Sequence, residues 1–366
     1  MLINRTSNTS ANEIIIEKYN SLISRGVLPC EILFVVLNPY KKALFDDKFY
    51  LTAGTRKKPE IHTLNGLYYN AFKDNSSYIK SLLKYSDNDV LNQCGLEVSQ
   101  YIFKQSIKDA DFSDYISKIN LLHQLFRRYS LIVQNSLSDK EVIERARLVN
   151  EVFADDAFKA IYGYKQRSIK YKSFDYLRQA AIFPLIYKNT GYFNGIKYLI
   201  IDDADEMPYI FWQFADFIMP QIQDYIIAYD SNGSSRCGYL CAYKNGIPDF
   251  KLKYSPKEIV LSDKSVYAKT AENLFSVFKE GKKTKIENIK HFGYVNRLDM
   301  LEKVFLDIKE LIRTGVKPGD ISVISPLSSE LIRKCSSGFD LEFQSVSGSE
   351  KLSGVSGIKH IISILK

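Results

Sequence analysis

From Lys197 to Glu206 the chain carries an apolar run of strand length that ends abruptly in four acids within five residues. Such a run suits a parallel sheet, whose strands are covered on both faces and read as continuous apolar segments. Ligands of open α/β sheets sit beyond the carboxyl ends of the strands, where a terminal Asp commonly holds Mg²⁺ against nucleotide phosphates. The plainer reading of Asp202, Asp203, Asp205 and Glu206 is a solvated loop or a helix cap.

The remainder of the chain is consistent with an α/β protein. Its 366 residues, 45% apolar and 13% aromatic, suffice for two cores. Residues 2 to 37 read as a strand, a polar loop, an amphipathic helix and a second strand. Ile14, Ile15, Tyr19, Leu22 and Ile23 share one helix face, and Gly26 stands where a C-cap is expected. Residues 75 to 172 read as helical, through patterns such as Ile116, Ile119, Leu122, Leu125 and Phe126.

Fifty Lys and Arg against 42 Asp and Glu leave a net charge of +8, which permits a nucleic-acid partner without requiring one. Arg127-Arg128 and the run Lys165 to Lys172, interleaved with Tyr162, Tyr164 and Tyr171, read either as a backbone-tracking surface with stacking rings or as a solvated face. Cysteines at 30, 94, 237, 241 and 335 form no paired framework, so a reducing, cytoplasmic setting is expected. Cys237 and Cys241 lack a second Cys/His pair, and His62 lacks any partner at ligand spacing, so neither is expected to hold a metal. No apolar run approaches the roughly 20 residues of a membrane-spanning helix, and no membrane association is expected.

The phrase from Ser173 to Leu177, the acidic strand end at Asp202, and the next strand ending at Asp230 resemble, in order and spacing, the Walker B region of superfamily 1 DNA helicases of the UvrD/Rep type. That resemblance implies a P-loop NTPase, RecA-like sheet formed by residues 1–74 and 173–249. It also implies a helical insertion over 75–172 and a partial second RecA-like domain over 250–366. In the second half, Gly315 to Ile324 resembles the family's G-x-x-P-x-D-I-A-V-L, with a strand from Ile321, and Phe339 to Leu352 resembles its I-P-Y-x-V-x-G-G.

Residue by residue, the resemblance leaves an eroded nucleotide pocket. The phosphate-loop window falls on Arg5 to Asn12, with its glycines on Arg5 and Ser10, its lysine on Ala11 and its magnesium-binding hydroxyl on Asn12. Asp202 keeps the magnesium position, the catalytic Glu falls on Asp203, and Asp230 survives while the γ-phosphate-sensing Gln falls on Gly233. The family's arginine-bearing L-x-x-N-Y-R-S phrase falls around Leu261 to Ala268, where no arginine occurs. The family's single-stranded DNA contacts fall on Lys41 and Lys42, on Thr63, Asn65 and Gly66, and on Tyr239, which is also read as a core aromatic. Thr63 to Gly66 has a second reading, a strand followed by an N-capped helix.

The resulting expectation is a helicase-like pseudoenzyme without cofactor, which binds single-stranded DNA weakly or serves as a scaffold. Two alternatives remain: a Mg·ATP-using helicase or ATPase subunit completed by another chain, and a protein-interaction module that does not bind DNA. The sequence stops at Lys366, before the family's later motifs. Residues 357–366 carry an apolar stripe at Ile358, Ile361, Ile362 and Leu365, so residues 250–366 are expected to pair with another protein or a second copy, or else to be markedly less protected from hydrogen exchange than residues 1–245.

Overall fold

Residues Ile32–Val36 are buried along their whole length, and their side chains divide between two layers. Leu33 and Val35 face one, while Ile32, Phe34 and Val36 face the other, the two-residue alternation of a strand. A central strand of this kind needs helices on both sides, and it has them. The computed structural model describes residues 1–6, 9–53, 59–110, 112, 118–149, 153–233, 236–238, 241–263, 265–282, 289–325 and 329–343.

The chain divides into two compact units, residues 1–285 and 286–366. In the first, β1 (Leu2–Arg5), α1 (Asn12–Ser24), β2 (Ile32–Val36), α2 (Pro39–Ala53), β3 (Ile61–Thr63) and α3 (Leu64–Asp74) come in succession. Then follow α4 (Ser76–Leu82), β4 (Asn92–Gln93), α5 (Leu96–Lys108), α6 (Lys118–Gln134), α7 (Asp139–Leu148) and α8 (Ala154–Lys170). The unit closes with β5 (Ser173–Phe174), α9 (Tyr176–Asn189), β6 (Tyr198–Ile201), α10 (Tyr209–Ile218), β7 (Asp224–Asp230), α11 (Gly246–Tyr254), β8 (Glu258–Leu261) and α12 (Val266–Glu280).

Six strands form one all-parallel sheet in the order β3-β2-β6-β7-β1-β8, and β4 pairs with β5 in a small separate ladder. One face is covered by α1 and α2. There Tyr19, Phe34, Phe45 and Phe49 are all fully buried, with ring centroids 4.8 to 6.2 Å apart. Each such ring stabilises the fold by about 1.5–3 kcal/mol relative to exposure. On the other face α3, α9, α10 and α11 share a continuous core with the helices of residues 75–172, joining Leu33, Leu199 and Ile227 to Phe103, Leu125 and Tyr164.

Two sequence expectations are corrected here. The strand opening at Glu258 does not start a second domain near residue 250. It pairs in parallel with β1, so the first unit runs on to residue 285. The expected strand from Ile321 forms no ladder, and the described residues of the second unit contain no strand.

That second unit holds α13 (Arg297–Arg313) and α14 (Ser329–Ser337). Its core is Leu301, Phe305 and Ile308, with Phe305 against Phe339 and Phe343 at 5.4 and 5.8 Å. The stripe expected over residues 357–366, and the phrase from Phe339 beyond residue 343, lie outside the described residues. Among the described residues no helix is long and apolar enough to cross a membrane.

Candidate functional site

The carboxyl edge of the sheet gathers charged groups from three strands. Arg5 is the last residue of β1, Asp202 follows β6, and Lys41 lies in the first turn of α2, just past β2. Since β7 separates β1 from β6, the Arg5 side chain crosses the end of β7 to reach the acids.

There its Nη1 lies 3.2 Å from Asp202 Oδ1, and its Nη2 donates to Asp203 Oδ1 at 2.6 Å and lies 4.0 Å from Asp205 Oδ1. From the other side Lys41 Nζ donates to Asp202 Oδ2 at 3.0 Å and stands 3.7 Å from Asp203 Oδ2. Asn38 positions that lysine: its Oδ1 accepts the Lys41 N–H at 2.9 Å and caps α2.

Asp202 is fully buried and Arg5 is 8% exposed, so these pairs are screened little by solvent. Burial, and then Asp203, raise the Asp202 carboxyl above its ordinary range, against the pull of Arg5 and Lys41. For Arg5, burial disfavours the charge, but Asp202 and Asp203 outweigh it and the guanidinium is held above its usual value. Arg5 Nε and Asp202 Oδ1 make no hydrogen bond, so the Nη1 contact is an ion pair out of hydrogen-bond alignment.

The turn after β6 is shaped around the same cluster. Asp203 adopts a left-handed conformation at φ 56°, which Asp tolerates better than most residues and which turns the chain sharply after the strand. Asp205 Oδ1 accepts the Asp230 N–H at 2.9 Å, tying this turn to the end of β7. Gly233 is the complement of that contact: a Cβ there would lie 1.8 Å from Asp205 Oδ2. Glu206 pairs with Arg236, at 3.2 Å from Nε.

The structure therefore brings Asp202, Asp203, Asp230 and Lys41 to one edge. Ser10, Ala11 and Asn12 stand at the start of α1. Ser10 is exposed, Ala11 is fully buried, and the Asn12 Oδ1 is buried without a hydrogen-bond partner. Thr63 accepts the Gly66 N–H at 3.1 Å and so caps α3, while Asn65 is exposed. Lys42 lies near His62 and, after burial and against Glu60, contributes to lowering the imidazole pKa. Tyr239 lies outside the described residues; Gly238 and Cys241 line a cavity of about 300 Å³ with Phe126 and Arg127.

Of the basic run, Lys165 pairs with Asp139 at 2.7 Å, Arg167 with Asp109 and Lys172 with Asp89. Tyr162 and Tyr171 are exposed, whereas Tyr164 is buried and donates to Asp175 Oδ2 at 2.8 Å. Sequence reasoning misses Arg5, on which the resemblance sets a loop glycine. Its only signal was a lone cation at a strand end, and strand order decides which acids such a cation meets. Comparison with protein-family models and with curated proteins finds no match for this chain.

Proposed function

We propose that this chain is a helicase-like protein that does not turn over ATP and acts by binding single-stranded nucleic acid weakly. The observation that carries the reading is the double ion pair of Arg5 and Lys41 on Asp202 and Asp203. A magnesium nucleotide fits this edge poorly. The ion would have to displace two cations from a buried carboxylate, and Ala11 offers its phosphates no charge. Each phosphate contact so lost forgoes roughly 1.5–3 kcal/mol of charge-assisted hydrogen bonding. Asp203 is likewise engaged, its Oδ1 accepting from Arg5 Nη2 at 2.6 Å. The expected result by calorimetry is no saturable Mg·ATP binding at sub-millimolar concentration; a micromolar dissociation constant would reject the proposal.

Nucleic-acid binding is supported by the net charge of +8 and by the exposed Tyr162 and Tyr171, the latter next to Lys170 in sequence. Expected is micromolar or weaker binding to oligothymidylate, with a log–log salt slope near −0.7 per phosphate contact. Lys42→Ala and Lys170→Ala should make the slope shallower, and Lys41→Ala less so because Lys41 is engaged by Asp202. Fluorescence anisotropy at low salt reads this, and no binding there would favour a second reading, a protein-interaction module. One observation favours that module: Lys165, Arg167 and Lys172 already have carboxylate partners.

A further inference from the structure

Among the described residues, the strand β8 lies at the edge of the six-stranded sheet and pairs on one side only, with β1. Leu2 N donates to Lys257 O and Thr6 N to Leu261 O, so the backbone groups of 257, 259 and 261 face β1. Those of Glu258, Val260 and Ser262 therefore face outward. The side chains of Ile259 and Val260 are 42% and 58% exposed, although an Ile-Val-Leu run reads as a strand made for burial. Charged edge residues normally block pairing at such an edge. Here the carboxylate of Glu258 is held internally, by Lys251 at 2.8 Å and by the Tyr229 hydroxyl.

We propose that β8 pairs antiparallel with β8 of a second copy of this chain, across a two-fold axis at Val260. In that register the outward-facing groups meet as hydrogen-bonded pairs, Val260 with Val260 and Glu258 with Ser262. Ile259 then stands opposite Leu261. Lys257 stands opposite Asp263, so opposite charges close the ladder at both ends. Lys257 is exposed, and the Asp263 carboxylate, which accepts from the Ser265 N–H and hydroxyl at 2.8 Å, follows the last residue of β8 by two positions.

Neighbouring registers lack this match. A shift of one residue sets outward-facing backbone groups against groups already bonded to β1. A shift of two sets Lys257 against Leu261 in one direction and Ile259 against Asp263 in the other. Charge complementarity and backbone direction thus select one self-pairing, and the isologous contact closes on itself without propagating into a filament.

Sedimentation velocity on the full chain over a concentration series tests this. The wild type should dimerise with a dissociation constant on the order of 10 µM. Val260→Lys, which sets two like charges across the axis, should raise it at least about tenfold. Thermal melts check that the variant folds, which the exposure of Val260 favours. Lys257→Asp and Asp263→Lys should each weaken the dimer, and the two together should restore it. A wild type that stays monomeric to about 100 µM overturns the proposal, because a dimer that weak is not a built interface. So does a dimer indifferent to Val260→Lys, or a charge swap that fails to restore affinity.

Discussion

Replacing Arg5 by alanine is expected to lower the unfolding free energy by about 3–5 kcal/mol at pH 7, among the largest effects of any single polar substitution in this chain. The cost arises less from the lost attraction than from what remains. Asp202 is fully buried, and Asp203 and Asp205 lie within reach of the same guanidinium, so its removal takes a cation from all three and leaves Lys41 against Asp202 and Asp203. Taking away both sides of the pairing should be far milder: Arg5→Met and Lys41→Met combined with Asp202→Asn and Asp203→Asn remove the cations together with the carboxylates they hold and recover most of the loss. Urea denaturation measures both. A deficit below about 1 kcal/mol would mean that the pairs are screened like surface pairs and that the edge is more open than its geometry implies.

The same substitution carries a pH signature. The Asp202 carboxyl is already raised in the folded state, first by burial and then by Asp203, and the loss of Arg5 raises it further. A carboxyl whose folded pKa exceeds its unfolded value takes up protons on folding, so lowering the pH favours the folded state across that interval. The Arg5→Ala deficit should therefore be complete above the folded pKa of Asp202. It should shrink as pH falls through that value toward the ordinary carboxylate range. A deficit that is flat between neutral and mildly acid pH would assign the loss to packing and not to charge.

The frame of the fold was legible because continuous apolar runs declare themselves. Ile32–Val36, Tyr198–Ile201 and Asp224–Asp230 are neighbours or near neighbours in one parallel sheet, and Asp202 falls at a carboxyl end as its run suggested. The contents of the site were not legible, because its pairs are distant in sequence. Arg5 and Asp203 are 198 positions apart, and Lys41 and Asp202 are 161 apart. Only the order of strands brings them together.

The same reason hid the partners of the basic run. Asp139, Asp109 and Asp89 lie 26, 58 and 83 positions from Lys165, Arg167 and Lys172. From the sequence, that run reads either as a phosphate-tracking surface or as a solvated face, and neither reading shows its carboxylate partners. The placement of β8 failed differently. Its strand character was read correctly, but whether an edge strand closes one sheet or opens another depends on the length of the connection and on the available neighbour. Here β1 had an open side.

Gly246→Ala is expected to destabilise the first unit by about 3 kcal/mol, although helix propensity argues for the opposite sign. Gly246 opens α11, and replacing a glycine within a helix by alanine ordinarily gains up to about 1 kcal/mol. At this position the space is already taken: a Cβ would lie 2.1 Å from Nε1, 2.4 Å from Cε2 and 2.7 Å from Cδ1 of Trp212. A rigid indole cannot yield as a flexible side chain would. Trp212 is 5% exposed and is flanked by Phe211 and Phe250 at 6.3 and 5.9 Å, so any retreat pushes on the core between α10 and α11. Overpacking of a filled core costs typically about 1–3 kcal/mol, and a clash on three ring atoms belongs at the upper end. Trp212 is the only tryptophan in the chain, so its fluorescence reports the displaced ring directly. A double-mutant cycle with Trp212→Leu separates the causes. If the indole is the obstacle, Gly246→Ala should cost less in that background, with a coupling of roughly 0.5–3 kcal/mol. An alanine variant as stable as the wild type, with unchanged emission, would show that α11 shifts to make room and that the packing against Trp212 is looser than these distances require.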